Sequence, residues 1–178
     1  HLLVVTPEGL QESAYWHPSF ALDRAPSEGE WMERIRALLR ESVTEQLMSD
    51  VPLGAFLSGG IDSSAVVAYM SQAMDRPVEP FSIGFAHAGQ GQEFDELHYA
   101  RMVAERFGTH HHEFVMEPRL VEDLPRIVWH FDEPFANVTA VPFYFLCQMA
   151  REHITVALAG VGGDELFGGY PRYLAARY

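Results

Sequence analysis

Lysine is missing altogether: all 12 cations of the 178-residue chain are arginines, set against 25 acidic residues, for a formal net charge of −13. So acidic a chain lacks the basic face that displaces counterions from nucleic acid, and an anionic lipid surface would repel it. Cysteine is nearly missing too. The single Cys147 can form no internal disulfide and cannot complete a cysteine-rich zinc site, which fits a reducing cytoplasm. No apolar run approaches the roughly 20 residues that cross a bilayer, and no signal-peptide pattern opens the chain. Fixed-period repeats and low-complexity tracts are absent as well. What is present, 48% hydrophobic and 21% charged residues, is the composition of a folded, soluble chain with a substantial core.

The chain begins at His1 without an initiator Met, and Tyr170 to Tyr178 reads as a helix with no stop signal, so a fragment of a longer protein is expected. Residues 1–26 read as a hairpin and a linker. His1–Thr6 is β-rich, Pro7-Glu8-Gly9 is a turn, Ser13–Trp16 is expected to pair back, and 17–26 is the linker. From residue 27 the pattern turns helical: Ser27 and Glu30 have capping-box spacing, and Trp31, Ile35, Leu38, Leu39, Val43 and Leu47 recur at helical intervals. After Pro52, short apolar runs alternate with amphipathic helices. Strands are expected at 53–57, 81–86, 111–116 and 154–159, and helices from the Ser63 region to Asp75, at 95–107, 118–130 and 141–152. The stretch 88–92, rich in Gly and Gln, is expected to be a mobile loop.

This alternation predicts an α/β fold, a Rossmann-like parallel sheet with helices on both faces. Ligands of such sheets bind beyond the carboxyl ends of the strands, where the strand order reverses. Two strand ends are glycine-rich and carry an Asp, those of the first and fourth strands. The order 3-2-1-4 would make them face each other.

The first of these ends is Ser58-Gly59-Gly60-Ile61-Asp62-Ser63-Ser64. Two glycines after a buried strand let the backbone turn and present N–H groups to an anion, and the helix that follows adds its positive end. The serines supply hydroxyls, and Asp62 is a hard oxygen ligand suited to magnesium. The Walker loop is excluded because its Gly-Lys ending is absent, and the spaced glycines of the dinucleotide fingerprint are missing. The plain alternative is an ordinary strand-to-helix turn with Ser or Asp as caps. The second end, Gly160 to Tyr170, holds five glycines in eleven residues and a further Asp, Asp164. Two carboxylates beside a polyphosphate repel unless a divalent cation joins them.

The first loop resembles the pyrophosphate-loop signature of the ATP pyrophosphatases (PP-loop ATPases, adenine nucleotide alpha hydrolase-like). With Phe81-Ser82-Ile83-Gly84-Phe85, Asp95-Glu96-Leu97, Gly108 to Glu113, Asp132-Glu133-Pro134 and Gly162 to Tyr170, the chain resembles, from about residue 28 to 173, the synthetase domain of glutamine-dependent asparagine synthetases. The resemblance implies an ATP-dependent carbon–nitrogen ligase that converts the aspartate side-chain carboxylate to β-aspartyl-AMP and pyrophosphate, after which ammonia derived from glutamine attacks. It assigns ATP and Mg²⁺ as cofactors. Ser58, Gly59, Gly60, Ser63 and Ser64 would hold pyrophosphate, with Ile61, Gly160 and Gly162 completing the two loops. Asp62 and Asp164 would hold magnesium, Leu57, Ile83 and Gly84 would lie along the adenosine, and Glu165 would orient the second loop; Asp62, Asp164 and Glu165 would be the catalytic set. Residues 1–26 become the tail and linker of an N-terminal glutaminase domain in cis, and 27–178 the first part of the synthetase domain. The resemblance leaves a homodimer open and expects neither nucleic acid nor membrane as partner.

Two departures stand out. Position 161 is Val where these synthetases usually have an acidic residue and the related β-lactam synthetases a tyrosine. An impaired enzyme, a different carboxylate substrate or a nucleotide-binding module without catalysis are therefore the alternatives. The family's catalytic Lys lies outside the matched segment, so the fragment alone should not make asparagine. The remaining features read as structural: His110, His111 and His112 as strand residues that cannot all converge, Cys147 as a buried small hydrophobe rather than the glutaminase nucleophile, and Glu93, Asp95 and Glu96 as a solvated helix start. Trp31, Trp129 and the run Phe143-Tyr144-Phe145 read as helix–sheet packing.

Overall fold

The computed structural model describes residues 1–19, 26–85, 96–116, 120–133, 135–137 and 139–175. The expected loop at 88–92, the linker beyond residue 19, and Glu93 and Asp95 of the acidic cluster lie outside or partly outside them. The chain divides into two compact units, His1–Arg36 and Ala37–Tyr178.

In the first unit, β1 (Leu2–Thr6) pairs antiparallel with β2 (Gly9–Ser13) around the two-residue turn Pro7-Glu8. The second strand therefore starts four residues earlier than expected. Gly9, at φ 144°, adopts a conformation that other residues rarely take and brings the chain back at once. Tyr15 and Trp16 follow the strand, exposed. The unit ends in the first turns of α1 (Glu28–Glu45), where the capping box forms as read: Ser27 N donates to Glu30 Oε2 at 2.7 Å, and Glu30 N to Ser27 Oγ at 3.3 Å.

The second unit is the parallel sheet. Its strands are β3 (Leu53–Phe56), β4 (Pro80–Phe85), β5 (His112–Met116) and β6 (Val156–Leu158), all parallel, in the order β5-β4-β3-β6. This is the 3-2-1-4 order, with the switch point between β3 and β6. Helices α2 (Ile61–Ala73), α3 (Glu96–Phe107), α4 (Leu120–Phe131) and α5 (Ala140–Ala150) intervene. On one side Leu53, Ala55 and Leu57 pack with Val43, Val67, Met70, Ala100 and Ala104; on the other Phe81 packs with Leu146, Ala150 and Ile154. Burying each of the larger side chains contributes about 1.5–3 kcal/mol. Gly108, at φ 62°, ends α3 as a left-handed cap.

Two expectations need correction. The stretch after Gly160, read as a glycine loop, contains the short helix α6 (Gly163–Phe167), capped at both ends by left-handed glycines, Gly162 and Gly168. A final helix, α7 (Pro171–Ala175), follows. Trp129 does not pack on the sheet: it is 80% exposed, because Ile127, two positions away on α4, takes the inward face. Trp31 is also exposed, under the Arg34 guanidinium at 5.5 Å. Phe143 does pack as expected, edge-on to Phe56 of β3 at 5.5 Å. Among the described residues, no helix is long and apolar enough to cross a membrane.

Candidate active site

The site lies at the carboxyl ends of β3 and β6. After Leu57 the chain leaves the sheet, and Gly59 takes φ +85°. A side chain there is excluded twice, since a Cβ would also fall 2.6 Å from the Ala100 amide nitrogen on α3. Gly60 then opens α2 without a side-chain cap, so the first-turn amides of Ile61 and Asp62 have no intrahelical partner to compete with an anion; Ser63 is buried at 7% exposure. The serines behave differently from the simple expectation. Ser64 Oγ donates to the Gly60 carbonyl at 2.7 Å, and Ser63 Oγ donates to the same carbonyl at 3.2 Å while accepting from Ser58 N at 3.2 Å. These hydroxyls brace the loop from within, and the Gly60 amide is likewise held by Ser58 Oγ at 3.2 Å.

The second strand end meets the first. A Cβ on Gly163 would sit 2.2 Å from Asp62 Oδ2, and one on Gly160 would sit 2.6 Å from Ser63 N. The glycines at 160 and 163 are thus needed because the Asp62 turn occupies the space where a side chain would go. Asp164, the next residue, and Glu165 raise the Asp62 pKa by their charge, after burial, which is the larger cause. No Lys or Arg pairs with Asp62 or Asp164 among the described residues. A third carboxylate is otherwise engaged: Tyr170 Oη donates to Glu165 Oε1 at 2.7 Å, which holds the Glu165 carboxyl below its usual range and the Tyr170 phenol above its own.

Asp62 and Asp164 therefore form an acidic pair without a protein cation, beside uncapped helix amides. Among the described residues no three His, Cys, Asp or Glu side chains converge as a metal cage. One or two carboxylates completed by phosphate oxygens and water is how Mg²⁺ is ordinarily bound beside a nucleotide. The donor set fits that ion.

The residues expected along the adenosine are differently disposed. Leu57 is 1% exposed: its side chain belongs to the core, its N–H donates to the Phe81 carbonyl at 2.9 Å and its carbonyl accepts from Ser82 Oγ, so it is closed to direct contact here. Gly84 is buried beneath Leu97, whose Cδ1 lies 2.4 Å from where a Cβ would be. Ile83, on the opposite face, packs with the Phe81 cluster. Val161 is 87% exposed and, with Asp62, Tyr69 and Phe167, lines a cleft of about 270 Å³ between α1, α2 and the second loop.

Residues 34–178 match the family model described as asparagine synthase. The chain is 42% identical over 147 residues to the glutamine-hydrolysing asparagine synthetase 1 of Bacillus subtilis, an alignment that covers 82% of this chain and 22% of that protein. It is 32% identical over 177 residues to asparagine synthetase B of Escherichia coli, covering 92% of this chain and 31% of that one. The chain thus spans between a fifth and a third of the length of these relatives. Among solved structures, the glutamine-dependent NAD⁺ synthetase of Acinetobacter baumannii in complex with ADP superposes with a TM-score of 0.54 at 21% identity, covering 84% of this chain and 29% of that chain. That likeness is one of fold.

Proposed function

Because the chain belongs to the asparagine synthase family, we propose that it is the nucleotide-binding part of an ATP-dependent carbon–nitrogen ligase that activates the aspartate side-chain carboxylate. A carboxylate oxygen attacks the α-phosphorus of ATP, a new O–P bond forms, and the bond to pyrophosphate breaks. Ammonia then attacks the acyl carbon of β-aspartyl-AMP and AMP leaves.

The single observation that carries this reading is the meeting of Asp62 with Gly163 and Asp164 beside the uncapped start of α2. Ser58, Gly59, Gly60, Ser63 and Ser64 would hold the departing pyrophosphate, with the uncapped amides of Ile61 and Asp62 adding to its charge neutralisation. Asp62 and Asp164 would hold Mg²⁺, which supplies charge neutralisation at the phosphates. Glu165, tied to Tyr170, keeps the second loop oriented. Ammonia would come from a glutaminase domain in cis, of which residues 1–26 would be the tail and linker.

A second reading is favoured by Val161, apolar and exposed at the mouth of the cleft: a related ligase acting on another carboxylate. Amino-acid-dependent exchange of labelled pyrophosphate into ATP decides between them, run on the complete protein with aspartate and then with other acids. Exchange only with aspartate supports the first reading, exchange only with another acid the second, and none with any acid removes both.

A further inference from the structure

Ser82, in the middle of β4, is a polar residue at 2% exposure in a strand otherwise made of Pro, Phe, Ile and Gly. Its Oγ lies 2.5 Å from the Leu57 carbonyl oxygen and 2.7 Å from His111 Nε2. A serine hydroxyl has one proton. With that proton on the Leu57 carbonyl, His111 must donate from Nε2 to Ser82 Oγ. The other ring nitrogen, Nδ1, faces Glu113 Oε1 at 3.5 Å. Glu113 is in turn held by Arg101 of α3 in two bonds, 2.8 Å from Nε and 2.6 Å from Nη2. The bond from His111 Nε2 through Ser82 thus ends on the last carbonyl before the phosphate loop, with the Arg101–Glu113 pair beside the ring. Helix α3 also touches that loop directly, through Tyr99 and Ala100 against Gly59.

We propose that Ser82 and His111 are positioning residues for the loop 58–64: through the Leu57 carbonyl they set where the backbone leaves β3 and thereby aim its amides. The inference rests on the nucleotide reading above for its functional consequence, but not for its geometry. Burial makes His111 harder to protonate, against the pull of Glu113, which suits a neutral ring donating from Nε2. The side chains facing that ring are Ser82 from β4, Glu113 from β5 and Arg101 from α3.

The test compares Ser82→Ala, His111→Leu and His111→Gln in the complete protein, with two readouts: amide hydrogen exchange and ATP affinity by calorimetry at fixed Mg²⁺. Gln keeps an N–H donor in place of Nε2. Ser82→Ala and His111→Leu should raise exchange at 58–64 about tenfold, leave β4 and β5 protected, and weaken ATP binding by a similar factor, while His111→Gln stays near wild type. Unchanged loop exchange in Ser82→Ala and His111→Leu overturns the inference, as does exchange raised evenly across the sheet. A wild-type protein that binds no ATP sinks the nucleotide reading alone, and loop exchange still decides the positioning role.

Discussion

The two ends of the parallel sheet treat their carboxylates in opposite ways. At the amino ends of the strands, Glu79 is clasped by two histidines: His110 Nδ1 at 3.0 Å from Oε1 and His112 Nε2 at 2.5 Å from Oε2. Burial pushes the Glu79 pKa up, but these two partners outweigh it and the net shift is downward. His112 is itself locked, stacked on Phe81 at 4.7 Å and close to His153 at 4.4 Å. At the carboxyl ends, Asp62 faces Asp164 and Glu165 with its pKa raised. One end is satisfied by the protein's own groups and stabilises it; the other holds unreconciled charge that only a ligand can balance.

The sharpest way to break this contrast is Gly160→Ala. Its Cβ would run into backbone at Ser63 and Asp62, which cannot step aside as a flexible side chain can. Nucleotide binding should fall about 100-fold, near 2.7 kcal/mol, in calorimetric titrations with Mg·ATP. Next comes Asp62→Asn, which relieves the repulsion of Asp62 by Asp164 and Glu165. Mg²⁺-dependent ATP affinity should drop ~10-fold or more, while stability without metal, read by urea melts, stays level or rises. A loss of metal-free stability would show that Asp62 is structurally satisfied after all. Val161→Asp adds an acid at the cleft mouth and should raise aspartate-dependent pyrophosphate exchange about tenfold in the complete protein, roughly 1.4 kcal/mol off the barrier. An unchanged rate would count against aspartate as the substrate. The smallest effect is Glu79→Gln, expected to cost about 1 kcal/mol in denaturant titrations without changing ATP affinity.

The two ends also differ in the sign of their pH dependence. Asp62 is raised, so its folded form holds its proton more tightly than the unfolded chain does. Its stabilisation is present below the ordinary carboxylate pKa and is lost as pH rises through the raised folded value. Glu79 is lowered, so its contribution is present above the ordinary value and is lost as pH falls through the lowered one. Melting curves across the acid range should show Asp62→Asn removing the first dependence and Glu79→Gln the second, with Mg·ATP suppressing only the first.

Much of this architecture was legible in the chain. Alternating apolar runs and amphipathic helices implied parallel strands, the order 3-2-1-4 was the one in which the two glycine-rich, Asp-bearing ends would meet, and Ser27 and Glu30 marked the start of α1. The short helix α6 was not legible, because five glycines in eleven residues look like a connector until neighbouring backbone leaves room for nothing else. The role of Ser82 was missed although a signal existed, a lone hydroxyl in an apolar strand. His111 was read, like His110 and His112, as a structural strand residue, and Glu79 carried no pattern at all.

Periodicity is a local property: which way each residue faces depends on its few neighbours along the chain, so strands and helices follow from sequence. Pairing Asp62 with Gly163, Ser82 with Leu57 and Glu79 with two histidines requires separations of 25 to 101 positions to close. Only the sheet order, with β3 between β4 and β6 and β5 beside β4, brings those groups within reach, and only burial there makes their charges and protons matter.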